Sequence, residues 1–143
     1  MLLCAFAALT ATAQQLSAQT SSISVTSPSA LSISAATAGG QPVGQSTTAS
    51  YSVTVVGGRK KITAQLEAPL PPGVTLTISL AAPSGAVSLG SATLSTSSRD
   101  MVRYIAIGQY TSLTVTLSLN ASVSAGVVPF NYSHVVLTLV DDP

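Results

Sequence analysis

The feature that most constrains this chain is a regular alternation of apolar and polar side chains. It is clearest from Tyr51 to Ala68, YSVTVVGGRKKITAQLEA, on both sides of Gly57 and Gly58. A period of two places successive side chains on opposite faces of a β-strand. Adjacent glycines readily adopt the positive φ of tight hairpin turns. The stretch is therefore predicted to form a β-hairpin whose register is set by its turn.

Similar alternating segments follow along the chain, separated by Gly and Pro turn signals. Residues 112–123 contain the longest alternation and are predicted to be a central strand. Pro28 places residues 21–35 at a sheet edge or at a crossing between sheets, because proline cannot donate to a ladder. About nine strands without an amphipathic helix predict an all-β, antiparallel two-sheet immunoglobulin-like sandwich, with a β-barrel as the alternative. The predicted core is Val53, Val55, Leu66, Leu76, Ile78, Val115, Leu117 and Leu137.

Composition indicates a single domain with an unusually uncharged surface. The 143 residues are 46% hydrophobic and only 6% charged, whereas about a quarter of the residues in ordinary domains are charged. Charge is the usual protection of β-proteins against edge-to-edge association, so self-association is expected. A net charge of +1 with only five Lys and Arg excludes nucleic acid as an expected partner.

The first residues are predicted to direct export. Residues 1–13, MLLCAFAALTATA, are apolar and end in an A-x-A cleavage pattern, although a positively charged n-region is missing. We expect a signal peptide and a secreted, extracellular or cell-surface protein. A lipoprotein signal at Cys4 is the alternative, and a transmembrane helix, which needs about 20 apolar residues, is not expected. The remaining chain divides into a leader with a candidate donor strand at 14–35 and a β-sandwich domain at 36–143.

Residues that could carry chemistry are few. One histidine, His134, and one cysteine cannot form a zinc site, and Asp141 and Asp142 lack the spaced oxygen ligands of a calcium loop. No G-x-S-x-G sequence occurs. We therefore expect no enzyme, no metal and no cofactor. His134 is expected at the solvent face or an edge of the last strand, and the two aspartates are expected to form a solubilising tail.

Arg59, Lys60 and Lys61 form the only basic cluster. A solvated turn is the expected role of this cluster. The alternative is a contact with a neighbouring subunit or an anionic surface polymer, and Asp141 and Asp142 of another copy are candidate partners.

Two tripeptides match the N-glycosylation pattern, at Asn120 and at Asn131. Asn131 is the better candidate, because Asn120 lies inside a predicted strand.

Two stretches carry a resemblance to a known family, KKITAQLEAPLPPGVTLTISLAAPSG at 60–85 and SAGVVPFNYSHVVLTLVDD at 124–142. With the signal segment and the hydroxyl-rich composition, they resemble secreted bacterial pilin-like, fibre-forming β-sandwich subunits. The resemblance implies polymerisation by donor-strand complementation, with copies of the same chain and an export or assembly factor as partners. The corresponding segment here is 21–33, with contact residues Ile23, Val25, Leu31 and Ile33. Unlike chaperone-assembled pilins, this chain lacks a cysteine pair.

The expected function is therefore a structural subunit of an extracellular filament or pilus-like surface polymer, assembled by β-strand addition. The alternative is a secreted monomeric adhesin or carbohydrate-binding β-sandwich module. Sugar-binding modules usually present exposed aromatic rings, and this chain has four Tyr, two Phe and no Trp. The alternative is therefore the weaker of the two hypotheses.

Overall fold

The computed structural model describes residues 20–26, 31, 44–122 and 133–143. These residues form strands connected by turns and loops. The strands are β1 (Ser22–Val25), β2 (Gln45–Val55), β3 (Lys60–Leu66), β4 (Val74–Leu80), β5 (Val87–Ser88), β6 (Ala92–Thr93), β7 (Arg99–Ile105), β8 (Gly108–Ala121) and β9 (Val135–Asp141). No helix capable of crossing a membrane is found in the described residues.

The strands form two antiparallel sheets. One has the order β1-β2-β8-β4-β6 and the other the order β5-β7-β3-β9. The sheets are not closed into a barrel, so the predicted all-β, two-sheet antiparallel sandwich is confirmed. Strand β8 lies at the centre of the five-stranded sheet, as its long alternation predicts, and β1 lies at an edge of that sheet.

The predicted hairpin is wrong. Gly57 and Gly58 do have positive φ, 78° and 143°, but β2 belongs to the five-stranded sheet and β3 to the four-stranded sheet. The turn therefore carries the chain across the core. A strand with one apolar face buries that face equally well in a hairpin or in an arch between two sheets. The partner of β2 is the longer strand β8, which pairs with it from Gln45 to Val55 with one irregularity.

Crossing between sheets is the rule in this topology. After β2, each strand lies in the sheet opposite to that of the strand before it. Ladder partners are consequently distant in the chain, as in β2 with β8 and β3 with β9. Ladders of this kind form only after long loops have closed, which is characteristic of slowly folding β-sandwiches.

The core lies between the sheets and matches the predicted one in six of eight positions. The buried apolar residues are Tyr51, Val53, Val55, Ile62, Ala64, Leu66, Leu76, Ile78, Leu80, Leu94, Met101, Val102, Ile105 and Val115. Leu117 and Leu137 pack against this core but are only partly buried. Leu137 is on the edge strand β9. Leu117 is on β8, whose 14 residues extend beyond the seven-residue strands of the facing sheet.

Tyr51 ties β2 to the end of β4 across the intervening β8. Its side chain is buried, and its hydroxyl donates a hydrogen bond to the carbonyl oxygen of Ala81. Burial disfavours the phenolate and raises the pKa of Tyr51 to about 12. The tyrosine therefore stays neutral and hydrogen-bonded throughout the physiological pH range.

Replacing Gly58 by valine is expected to destabilise the fold by about 1 to 3 kcal/mol, because a β-branched residue resists positive φ. No heavy atom lies within 4 Å of the position its Cβ would take, so the effect comes from the backbone alone. Urea denaturation measures the difference. Gly57→Asn, at a φ of 78° that asparagine tolerates better, is the matched control and should lose less. Equal losses in the two variants would contradict a conformational role for Gly58.

Candidate functional site

The first strand of the described chain occupies an edge of the five-stranded sheet. Strand β1 pairs antiparallel with β2, with Ile23 opposite Val53 and Ser24 opposite Ser52. Its side chains are mostly exposed, and Ile23 is the one residue of β1 that packs against the core. Strand β1 is thus held largely by its main-chain ladder.

A hydroxyl group closes the ladder at each end of β1. The Ser21 Oγ donates to the carbonyl oxygen of Val56 at 3.0 Å and accepts from the Val56 N–H at 2.9 Å. The Thr26 Oγ1 donates to the carbonyl oxygen of Ser50 at 2.7 Å and accepts from the Ser50 N–H at 3.0 Å. Each hydroxyl therefore satisfies both backbone groups of one residue, Ser50 within β2 and Val56 directly after it. We call these two contacts the hydroxyl clamps.

The predicted contact residues divide between the core and the surface. Ile23 and Leu31 pack against the core, Val25 is exposed, and Ile33 lies outside the described residues. In the single chain, β1 completes its own sheet, whereas the resemblance implied that this segment completes the sheet of a neighbour. Pairing with a neighbour stays a prediction. Because β1 is part of the sheet, the sandwich also includes residues from the predicted leader at 14–35; the predicted signal peptide at 1–13 lies outside the described residues.

The basic cluster is engaged within its own chain. Lys60 forms an ion pair with Asp141, which lies opposite it in the ladder between β3 and β9. The Lys61 Nζ lies 2.9 Å from the Asp100 Oδ2. Asp141, a candidate partner from another copy under the alternative, thus pairs with Lys60 within the same chain, and Arg59 is exposed, as expected of a solvated turn.

Asp142 is buried, contrary to the expected solubilising tail. It is 4% exposed, its Oδ1 lies 2.6 Å from the Arg103 Nη2, and its Oδ2 accepts from the Tyr104 N–H at 2.8 Å. The Asp142 N–H in turn donates to the carbonyl oxygen of Arg59 at 3.1 Å. The Arg103 hydrogen bond, aided by the Tyr104 N–H, holds the pKa of Asp142 below its ordinary value. This carboxylate fastens the chain after β9 to β7.

Tyr104 stands beside this ion pair in an uncommon backbone conformation. Its φ is 62°, in a region that few residues other than glycine adopt. The guanidinium carbons of Arg59 and Arg103 lie 5.4 and 5.0 Å from the centroid of its ring. The conformation points the Tyr104 N–H at Asp142, so the backbone strain accompanies a charge-assisted hydrogen bond. The two arginines also flank the exposed ring, which limits its use as a stacking platform for sugars.

Among the described residues, the structure places no set of side chains in an arrangement suited to catalysis or metal binding. His134 is exposed, and its carbonyl oxygen accepts from the Glu67 N–H at 2.9 Å. No cluster of three potential metal ligands occurs in this part of the chain. Two shallow clefts of about 240 and 260 Å³ open beside Leu70 and beside Ile107, and neither is lined by a titratable side chain. Neither cleft has the groups that acid–base chemistry requires.

The two candidate glycosylation residues differ in what the structure shows. Asn120 lies in β8, paired with Thr75 of β4, and is exposed. Asn131 lies outside the described residues.

No protein-family model, no curated protein and no solved structure matches this chain. The features that bear on function are therefore the geometry of β1, the hydroxyl clamps and the sheet edges.

Proposed function

We propose that this protein is a structural subunit of an extracellular filament, in which β1 of one copy pairs with β2 of the next. The observation that carries the proposal is the pair of hydroxyl clamps at the two ends of a four-residue edge strand. They define a site on β2 that recognises an added strand by its backbone and by two hydroxyl groups. Secretion enters the proposal through the predicted signal peptide at 1–13.

The contacts of β1 are of a kind that another copy can supply. Strand addition gains main-chain hydrogen bonds for affinity, and alternate side chains give specificity. The anchor here is Ile23, which faces the core beside Val53, while Ser22, Ser24 and Val25 are exposed. Donation of this element to the next copy forms between chains the contacts that it forms within one chain and needs no new surface. In the proposed contact between chains, β1 therefore pairs with β2 as it does within one chain.

Strand β1 is also an edge element that can be released from the sandwich at low free energy. Among the described strands it is hydrogen-bonded to β2 only, and its side chains are mostly exposed, and such elements open at low free energy. Residues 26–44 separate it from β2, so β1 can leave while β2 stays paired with β8. Opening exposes the β2 edge that a second copy would fill.

Interchain disulfide formation tests the exchange. Ser24→Cys and Ser52→Cys are made as separate variants, each with Cys4→Ser, and mixed under mild oxidation. Residues directly opposite in an antiparallel ladder lie within disulfide range. We expect a mixed disulfide dimer to form faster than in a control mixture of Ser24→Cys with Thr75→Cys, an exposed site on β4. Equal rates in the two mixtures would contradict strand exchange at this site.

A further inference from the structure

The four edges of the two sheets differ in how well they resist further pairing. Strands β5 and β6 are two residues long and β1 is four. Strand β9 has seven residues, and its register with β3 is unbroken from Val135 to Asp141. It contains no proline and no bulge, and its only charged residue is Asp141 at its end. Short length, prolines, bulges and charged side chains usually protect an edge strand, and β9 lacks them along most of its length.

The side chains of β9 also show that this edge is incompletely covered in the described chain. Leu137 and Leu139 pack on the core but are only partly buried, whereas their ladder partners Ala64 and Ile62 on β3 are fully buried. On the other face of the strand, Val136 is exposed. A strand added beside β9 would bury apolar atoms on both faces of the sheet.

We propose that the β9 edge pairs antiparallel with β9 of a second copy, about a two-fold axis at Thr138. Antiparallel pairing of a strand with itself about this residue sets Leu137 opposite Leu139 and Val136 opposite Val140. Apolar residues thus meet apolar residues on both sides of the axis, at which Thr138 lies opposite Thr138. A second copy fits this edge because the segment VVLTLVD is complementary to its own reversed order.

The charges at the ends of β9 allow this pairing. In the same register Asp141 lies opposite Val135 of the second copy, and the next position brings His134 opposite Asp142. No two like charges face each other. Asp141 is already paired with Lys60, and Asp142 is buried against Arg103, so neither carboxylate brings an uncompensated charge to the contact. The two four-stranded sheets would then form one continuous sheet of eight strands.

Strand β1 contacts β9, so this contact is tested with β1 held on its own β2 and exchange prevented. The double variant Ser24→Cys/Ser52→Cys, which also carries Cys4→Ser, is isolated in the oxidised form without a disulfide between chains. Its internal disulfide holds β1 on its own β2. We expect this locked chain to form dimers in sedimentation equilibrium. Adding Thr138→Lys sets two lysines opposite each other at the two-fold axis. It should raise the dimer dissociation constant by about tenfold or more, because opposed like charges strongly disfavour an interface.

The matched control is Thr93→Lys, which adds the same charge at an exposed threonine of the edge strand β6. It should leave the dissociation constant unchanged. The proposal is overturned if the locked chain stays monomeric at all concentrations, or if both lysine variants dissociate to the same extent. The mixed-disulfide experiment judges exchange at β1 separately, so failure of one contact is distinguishable from failure of the other.

Discussion

Replacing Ile78 by alanine should lower the free energy of unfolding by about 2 to 5 kcal/mol, the range for truncating a buried Ile or Leu to Ala. Ile78 is 1% exposed and lies in the core between the sheets. The loss combines the transfer of its methyl and methylene groups with the cavity that remains. Leu117 lies opposite Ile78 in the ladder between β4 and β8 but is only partly buried. Leu117→Ala should therefore cost less.

Urea denaturation of the two variants beside the unaltered protein measures this difference. Both changes place alanine at paired positions of adjacent strands, so the residue introduced is the same in the two variants. Equal losses would mean that the two sheets cover Ile78 and Leu117 alike, and a loss below about 0.5 kcal/mol for Ile78→Ala would contradict its place in the core.

Removing the Arg103 side chain should have the second large effect. Arg103→Leu keeps much of the apolar stem but leaves the buried Asp142 carboxylate without its cation, and an unpaired buried charge is strongly unfavourable. Lys60→Leu is the matched control, since it removes the cation of an ion pair whose acid, Asp141, is mostly exposed. Exposed ion pairs contribute little, so the control should lose much less stability. Melting temperatures at neutral pH compare the two.

The dependence of stability on pH identifies the cause of this effect. The folded state holds the pKa of Asp142 below its ordinary value, chiefly through Arg103. The stabilisation from this group is therefore present above the unfolded-state pKa, about 4, and is lost as pH falls through the lower folded-state value. The melting temperatures of the unaltered protein and Arg103→Leu should converge below pH 4. A difference that stays constant into the acid range would mean that Arg103 acts through packing alone.

The strands could be predicted from the sequence, whereas most of their partners could not. Alternation in β2, β3, β4 and β8 follows from burial of one face, and the structure confirms these strands. However, a strand can bury its apolar face either in a hairpin within one sheet or in an arch between two sheets. Gly57 and Gly58 permit both, so the choice depended on the longer ladder that β8 offers to β2. That ladder joins segments too distant in the chain for local patterns to reveal.

The candidate site could also be predicted only in part, because its contacts join residues that are distant in the chain. The sequence predicts that residues 21–35 lie at a sheet edge or at a crossing between sheets, but Ser21 and Thr26 have no distinguishing signal in a chain so rich in hydroxyl groups. Their role depends on reaching the Val56 and Ser50 backbone across the ladder. The burial of Asp142 was missed because it depends on Arg103 and on the left-handed conformation of Tyr104, neither of which local sequence indicates.

Negative-stain electron microscopy of the locked chain tests strand exchange at β1 most directly. The chain carrying Ser24→Cys/Ser52→Cys and Cys4→Ser is isolated as an oxidised monomer, and one half is then treated with a reductant. We expect filaments in the reduced half and none in the oxidised half, because the disulfide keeps β1 on its own β2. Filaments in the oxidised half, or their absence from the reduced half, would contradict assembly by exchange of β1.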